Sequence, residues 1–313
     1  MVALVTGAAG FVGSHLVEHL LEQGDTVRAV DCFTGFYERS EKQRNLSHVL
    51  QRDGFAFVRA DLSRDDIGAL LTGVDVVYHL AGQPGVRPSW GREFATYVRH
   101  NIEATQRVLE ASTDAGLKAF VYASSSSVYG DAERLPTPET VRPEPVSPYG
   151  VTKLAAEHLC NVYRRNMELP TKSLRLFTVY GPRQRPDMAF RRLVRAAVDG
   201  SRFELYGDGE QTRDFTYVQD VVAAMRLAAS SEWTGVANIG GGARISMNEV
   251  VSIVESICGE IDLVRTQTQA GDVRHTGADT RVAARGFGYD PKTGVAEGIS
   301  RMVEWERGTS FAA

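Results

Sequence analysis

The residues best suited to chemistry fall in two groups. Ser147-Pro148-Tyr149-Gly150-Val151-Thr152-Lys153 sets a phenol and an ammonium four residues apart. That spacing puts both on one helix face. Ser147 suits the N-cap and Pro148 the first helical position. A phenol titrates near about 10 and is a poor base at neutral pH, but a nearby ammonium favours its phenolate. Upstream, Ala123-Ser124-Ser125-Ser126-Ser127-Val128-Tyr129-Gly130 ends an apolar run with four hydroxyls, at the strand edge where α/β proteins place ligands. Tyr149, Lys153, Ser125 and Ser126 are the candidate catalytic residues. Taken alone, the Tyr/Lys pair also fits two exposed helix residues, and the serines a polar loop.

A third group is Thr6-Gly7-Ala8-Ala9-Gly10-Phe11-Val12-Gly13, between an apolar run and an amphipathic stretch. Gly7 permits a tight turn, Gly10 a close approach of backbone amides to a pyrophosphate, and Gly13 tight helix–sheet packing. A helix start here presents unpaired N–H groups to phosphates. Asp31 follows at the end of the next run. A carboxylate there binds both ribose hydroxyls and repels a 2′-phosphate, which favours NAD over NADP.

The elements that must hold these groups follow from pattern. Apolar runs at Val2–Val5, Thr26–Val30, Ala56–Arg59, Val74–His79, Ala119–Ser124 and Ser173–Phe177 alternate with helical stretches such as Val12–Gln23. Such alternation implies an α/β fold: a Rossmann-type, doubly wound parallel sheet. After Pro182 the pattern loosens. The expected division is a dinucleotide domain over 1–181, rejoined near 220–240, and a smaller mixed α/β C-terminal lobe over 182–313. The cleft between them is the default ligand site.

Composition narrows the function classes. The 313 residues are 43% apolar and 24% charged, with net charge −4. This excludes a disordered chain and gives no electrostatic case for nucleic acid or an anionic membrane. Three widely spaced cysteines argue against a disulfide scaffold. No CxxC pair or His/Cys cluster points to a metal. No apolar window reaches the roughly 18 residues of a membrane span, and the N-terminus lacks the basic region of a signal peptide. A cytoplasmic protein is expected.

Together the glycine turn, Asp31, the serine run and YxxxK resemble the extended short-chain dehydrogenase/reductase family of nucleotide-sugar enzymes. Further matching stretches are Asp61-Leu62, His79-Leu80-Ala81-Gly82, Asn101 and Arg213-Asp214-Phe215-Thr216-Tyr217-Val218-Gln219-Asp220. The resemblance implies NAD held by Gly7, Gly10, Phe11, Val12, Gly13, Asp31, Asp61, Leu62, Ala81, Gly82, Asn101, Tyr149 and Lys153. It makes Tyr149 the proton-transferring residue, Lys153 its partner, Ser125 the family's Ser/Thr, and Arg213 a contact to the diphosphate. It also implies a homodimer joined through helices near 92–115 and 148–167.

In that family Tyr149, as phenolate, takes the sugar O4 proton while hydride leaves C4 for NAD⁺. The dehydratases carry an Asp-Glu pair where this chain has Ser126 and Ser127, and the decarboxylases a Glu at the second position. Two serines cannot supply that acid and base, so the reading is a 4-epimerase. The stretch Thr178-Val179-Tyr180-Gly181-Pro182-Arg183-Gln184-Arg185-Pro186-Asp187-Met188-Ala189 is similar to that of UDP-glucuronate 4-epimerases. It assigns a sugar carboxylate to Arg185 and Thr178, with Arg87 a second candidate. Ser127, Met188, Phe203, Tyr206, Asp272 and Arg274 complete the implied UDP-sugar contacts. A UDP-glucose/UDP-galactose 4-epimerase is the alternative enzyme, and a non-catalytic NAD sensor the alternative of another class.

Overall fold

Each short apolar run pairs beside another in register. In the computed structural model, which describes residues 1–131, 134–267 and 273–310, the chain runs β1 (Val2–Thr6), α1 (Phe11–Glu22), β2 (Thr26–Asp31), α2 (Arg39–Leu46), β3 (Phe55–Arg59), α3 (Gly68–Leu71) and β4 (Val76–His79). It continues with α4 (Phe94–Tyr97), α5 (Ala104–Ser112), β5 (Ala119–Ser125), α6 (Pro148–Asn166), β6 (Thr171–Leu176), β7 (Thr178–Tyr180), α7 (Ala189–Asp199), β8 (Phe203–Tyr206) and β9 (Thr212–Tyr217). The last elements are α8 (Val218–Ser230), β10 (Gly235–Ile239), β11 (Arg244–Ser246), α9 (Met247–Cys258), β12 (Leu263–Thr266), α10 (Arg281–Phe287) and α11 (Val295–Ser310).

Seven parallel strands form one sheet in the order β10-β6-β5-β4-β1-β2-β3. The central strands β1, β4 and β5 are largely apolar because both their faces are covered. On β1, Ala3 and Val5 pack toward Leu16, Val17 and Leu20 of α1, while Leu4 joins Val108, Leu109 and Cys160 of α5 and α6 on the other face. Each fully buried aliphatic side chain contributes about 2 kcal/mol by transfer. Chain order reverses between β1 and β4, and a crevice opens there beyond the strand ends.

Strand β4 starts at Val76 rather than at Val74, whose N–H closes a turn onto Leu71 O. Helix α8 leads into β10, which pairs with β6 at the edge of the main sheet. The second region begins before Pro182, since β7 pairs with β9, and β9 with β11. A separate pair, β8 and β12, completes it. None of the helices among the described residues is long and apolar enough to cross a membrane.

Candidate active site

The β1–α1 turn is shaped by crowding. Gly7 has φ +67, and a Cβ there would lie 2.8 Å from Ala81 N. A Cβ on Gly13 would lie 2.2 Å from Gly7 O. Only glycine lets the turn close against β4 and α1 against the turn. Gly10 is the N-cap and no side chain caps α1, so the first-turn N–H groups of Phe11, Val12 and Gly13 line the cavity beyond β1. Below the turn, Thr6 Oγ1 meets His79 Nδ1 at 2.8 Å, and His79 Nε2 meets Thr105 Oγ1 at 3.0 Å. Asp31 accepts from Phe33 N at 2.7 Å and Ala9 N at 3.1 Å. Burial raises its carboxyl, opposed by those bonds and the Lys42 charge.

The serine and tyrosine groups meet at the end of β5. Ser125 Oγ accepts from Ser127 N at 3.1 Å, and Ser126–Val128 make one 3₁₀ turn. Ser147 caps α6 by accepting from Gly150 N at 3.1 Å, with Pro148 behind it. Gly150 then passes under Ser127, and a Cβ on it would lie 2.5 Å from Ser127 O. This brings Tyr149 and Ser125 together on the cavity wall. Burial raises the Tyr149 pKa; Ser125 and the Arg185 charge oppose it.

Lys153 also reaches β5 from α6. Its Nζ donates to Ala123 O at 2.8 Å and lies 4.9 Å from the Tyr122 ring centroid. It faces Gly82, where a Cβ would come within 3.7 Å of Nζ. Burial pushes the ammonium down to about 8. Ser125 and Arg185 both favour the phenolate of Tyr149.

Asn101 lies on a π-helical turn, Val98–Glu103, an irregularity common at functional sites. Its Oδ1 accepts from Gln83 N at 2.6 Å, and its Nδ2 donates to Gln83 O and Thr152 Oγ1 at 3.1 and 3.0 Å. It thus shapes the Gly82–Gln83 segment from outside the cavity.

The cavity has a volume of about 410 Å³. It brings together the glycine turn, Asp31, Asp61, Leu62, Ala81, Gly82, Ser125, Ser126, Ser127, Tyr149, Lys153, Thr178, Arg185 and Met188. Asp61 accepts from Ser63 N and Oγ at 3.0 and 2.7 Å. Arg185 is held by Asp187 through Nε and Nη2 at 3.0 and 2.9 Å.

Other expected substrate contacts stand apart from that wall. Arg87 stacks on Tyr206, 4.6 Å from the ring centroid, joining the Gly85–Ser89 segment to β8. Phe203 is buried in the core at 3% exposure. Arg213 donates to the carbonyls of Thr212, Val273 and Arg274, so its guanidinium clamps the segment after β12. Arg274 is exposed and pairs with Asp208 at 3.4 Å. Asp272 lies outside the described residues.

Phe36, Tyr37, Lys42 and Gln83 also line the cavity, outside every motif legible in the sequence. None sits in a spaced pattern; Lys42 alone had a signal, as a cation eleven residues past Asp31. Against the expectation of no metal ligands, Cys32, Asp61 and His100 hold one ligand atom each within 4.8 Å of one another. That set suits a divalent cation by type, although Asp61 is already engaged by Ser63. His15 and His19, four apart on α1, form no such site: His15 is buried against Pro182 O at 2.8 Å.

Residues 3–240 match the NAD dependent epimerase/dehydratase family. An uncharacterized UDP-glucose epimerase, YtcB, from Bacillus subtilis is 43% identical, over 97% of this chain and 98% of its own length. The structure is similar to UDP-glucuronic acid 4-epimerase from Bacillus cereus in complex with UDP-glucuronic acid and NAD: TM-score 0.95, 40% identity, 99% of this chain and 100% of that one. It is similar to MoeE5, solved with NAD and either UDP-glucose or UDP-glucuronic acid: TM-score 0.89, 45% identity, 99% of this chain and 100% of that one.

Proposed function

The chain belongs to the NAD dependent epimerase/dehydratase family, and from that premise we propose that it is a 4-epimerase converting UDP-glucuronate to UDP-galacturonate. The observation that carries this reading is the meeting, in one cavity, of the Tyr149–Ser125 pair with Arg185. A proton-transfer group and a forked cation stand at opposite needs of a hexuronate: its O4 hydroxyl and its C6 carboxylate.

NAD fits the residues present. The turn is narrowed to glycine at positions 7 and 13, α1 starts without a side-chain cap, and Asp31 stands at the end of β2. Gly7, Gly10, Phe11, Val12 and Gly13 would hold the diphosphate, Asp31 the ribose hydroxyls, Asp61 and Leu62 the adenine, and Lys153 with Ala81 and Gly82 the second ribose. When bound, NAD⁺ supplies the hydride acceptor for C4 and, once reduced, the donor that restores it.

Tyr149 takes the O4 proton and returns it to O4 after the 4-keto sugar has turned over. Ser125, beside Tyr149, favours its phenolate between those transfers. Ser126 and Ser127 hold the ring side without offering the acid and base that eliminating water across C5–C6 needs. Thr178 and Arg185 bind the carboxylate. This matters because a 4-keto uronate is a β-keto acid that loses CO₂ readily. Fixing C6 so that the C5–C6 bond stays out of line with the ketone π orbitals suppresses that loss.

A second reading, UDP-glucose 4-epimerase, is favoured by the similarity to the Bacillus subtilis UDP-glucose epimerase and to MoeE5, solved with UDP-glucose. The two separate in one experiment. Purified protein without added NAD is incubated with UDP-glucuronate and with UDP-glucose, and the sugars are analysed. UDP-galacturonate formed preferentially supports the first reading; UDP-galactose supports the second; UDP-pentose as the main product, or no turnover, defeats both.

We place the enzyme in the cytoplasm, since Cys32, Cys160 and Cys258 are free thiols. We also assign NAD to residues 1–181 with 220–240, and UDP chiefly to 182–313. Two copies associate through α4, α5 and α6. These elements pack side by side and expose Phe94, Val151 and Val162, with Val98 on the π-helical turn between α4 and α5 also exposed and Trp90 just before them 56% exposed.

A further inference from the structure

We infer that Asp187 is a positioning residue that aims Arg185 at the sugar carboxylate and thereby keeps the enzyme from releasing CO₂. The inference rests on the UDP-glucuronate reading above.

Two parallel bonds join the residues: Arg185 Nε to Asp187 Oδ1 at 3.0 Å and Nη2 to Oδ2 at 2.9 Å. They occupy one edge of the guanidinium. Pro186 lies between the partners, and its locked φ makes the pairing local and stiff. The arginine reaches inward, 19% exposed, while the aspartate stays outward at 42%. The guanidinium also stacks on Phe36, 5.5 Å from the ring centroid. Its plane is thus set by a carboxylate on one side and an aromatic face on another element.

A guanidinium carries five N–H groups. With one edge held by Asp187, Nη1 and the second N–H of Nη2 form the other edge. Nη1 has no hydrogen-bond partner among the described residues. This edge suits a second carboxylate, and the Arg185 charge already acts on the Tyr149 phenol. A hexuronate whose O4 lies at Tyr149 can present C6 to it.

Two-point binding anchors C6 and with it the pucker of the ring. In the 4-keto state, loss of CO₂ needs the C5–C6 bond aligned with the ketone π orbitals. Its electron pair then moves into C5, giving the C4–C5 enolate, CO₂ departs, and a proton from solvent returns to C5, leaving a UDP-4-keto-pentose; return of the hydride to C4 and of the Tyr149 proton to O4 would then give UDP-pentose. An arginine free to swing permits that alignment; one clamped from behind resists it.

The test is Asp187→Asn, which keeps the shape but loses the charge and one acceptor. The substitution lies at an exposed position, and UDP affinity by calorimetry reports on the intact site. The expected result is a KM for UDP-glucuronate raised about tenfold, a smaller change in kcat, unchanged UDP affinity, and a larger share of UDP-pentose in the product. An unchanged or lowered KM overturns the inference, the latter by making Asp187 a competitor of the substrate. Equal weakening of UDP and UDP-glucuronate also overturns it, as a general loop defect. Failure of the unsubstituted enzyme to convert UDP-glucuronate instead defeats the substrate reading, and the inference with it.

Discussion

Gly150 runs beneath Ser127 so closely that any Cβ on it would lie 2.5 Å from the Ser127 carbonyl oxygen. The contact sets α6 against the end of β5, and so sets Tyr149 against Ser125. A Gly150→Ala enzyme must shift one element away from the other. Displacements of about 1 Å at a reacting group cost about 100-fold in rate, and overpacking costs about 1–3 kcal/mol in stability. The expected outcome is a large loss of kcat with NAD content retained, checked by turnover and by absorbance of the released dinucleotide.

Tyr149→Phe removes the proton carrier and leaves the ring edge against Tyr97, whose centroid is 6.3 Å away. Turnover should fall by about 10²–10⁴ while UDP and NAD still bind. Ser125→Ala should act more mildly. Because Ser125 favours the phenolate, its loss should move the acid limb of the kcat/KM profile to higher pH. A profile unmoved by Ser125→Ala contradicts that role.

Lys153, pushed down to about 8 by burial, loses its proton well below the pH of a solvated lysine. If its ammonium holds Ala123 O and the ribose, kcat/KM should decline above pH 8 rather than near 10.5. A pH–rate profile on the NAD-loaded enzyme checks this, and an alkaline limb at 10 or above speaks against it.

Two buried histidines make stability depend on pH. Burial lowers His79 to about 3 and His15 to about 4, from 6.5. Both folded values lie below the unfolded one. The unfolded chain therefore takes up protons first, and stability falls as pH drops from 6.5 toward 4. Each group contributes up to about 1.4 kcal/mol per pH unit in that window. Urea unfolding at pH 7.5, 6 and 5 should show a falling midpoint; equal midpoints refute the assignment.

Val151 and Val162 are exposed on α6 at 46% and 50%. Val151→Asp should turn a dimer into a monomer in sedimentation equilibrium, since a charge desolvated between two apolar faces is costly. Sedimentation of the unsubstituted chain as a monomer would remove the dimer proposal outright.

Much of this site was legible because its signals are local. A glycine that must sit at φ +67, a serine N-cap followed by proline, and a phenol and ammonium one helical turn apart are written within eight residues each. The period of the apolar runs likewise determined a parallel sheet with helices on both faces. Tertiary structure decided the rest, because it depends on which distant groups compete for one another. Lys153 on α6 came to donate to Ala123 O of β5, thirty residues back. Arg213 was spent on the backbone of Val273 and Arg274, sixty residues on. Arg87 crossed to the ring of Tyr206, and Cys32, Asp61 and His100 met from three separate segments. Spacing along the chain specifies what a helix or turn can present; only the folded packing specifies what stands opposite it.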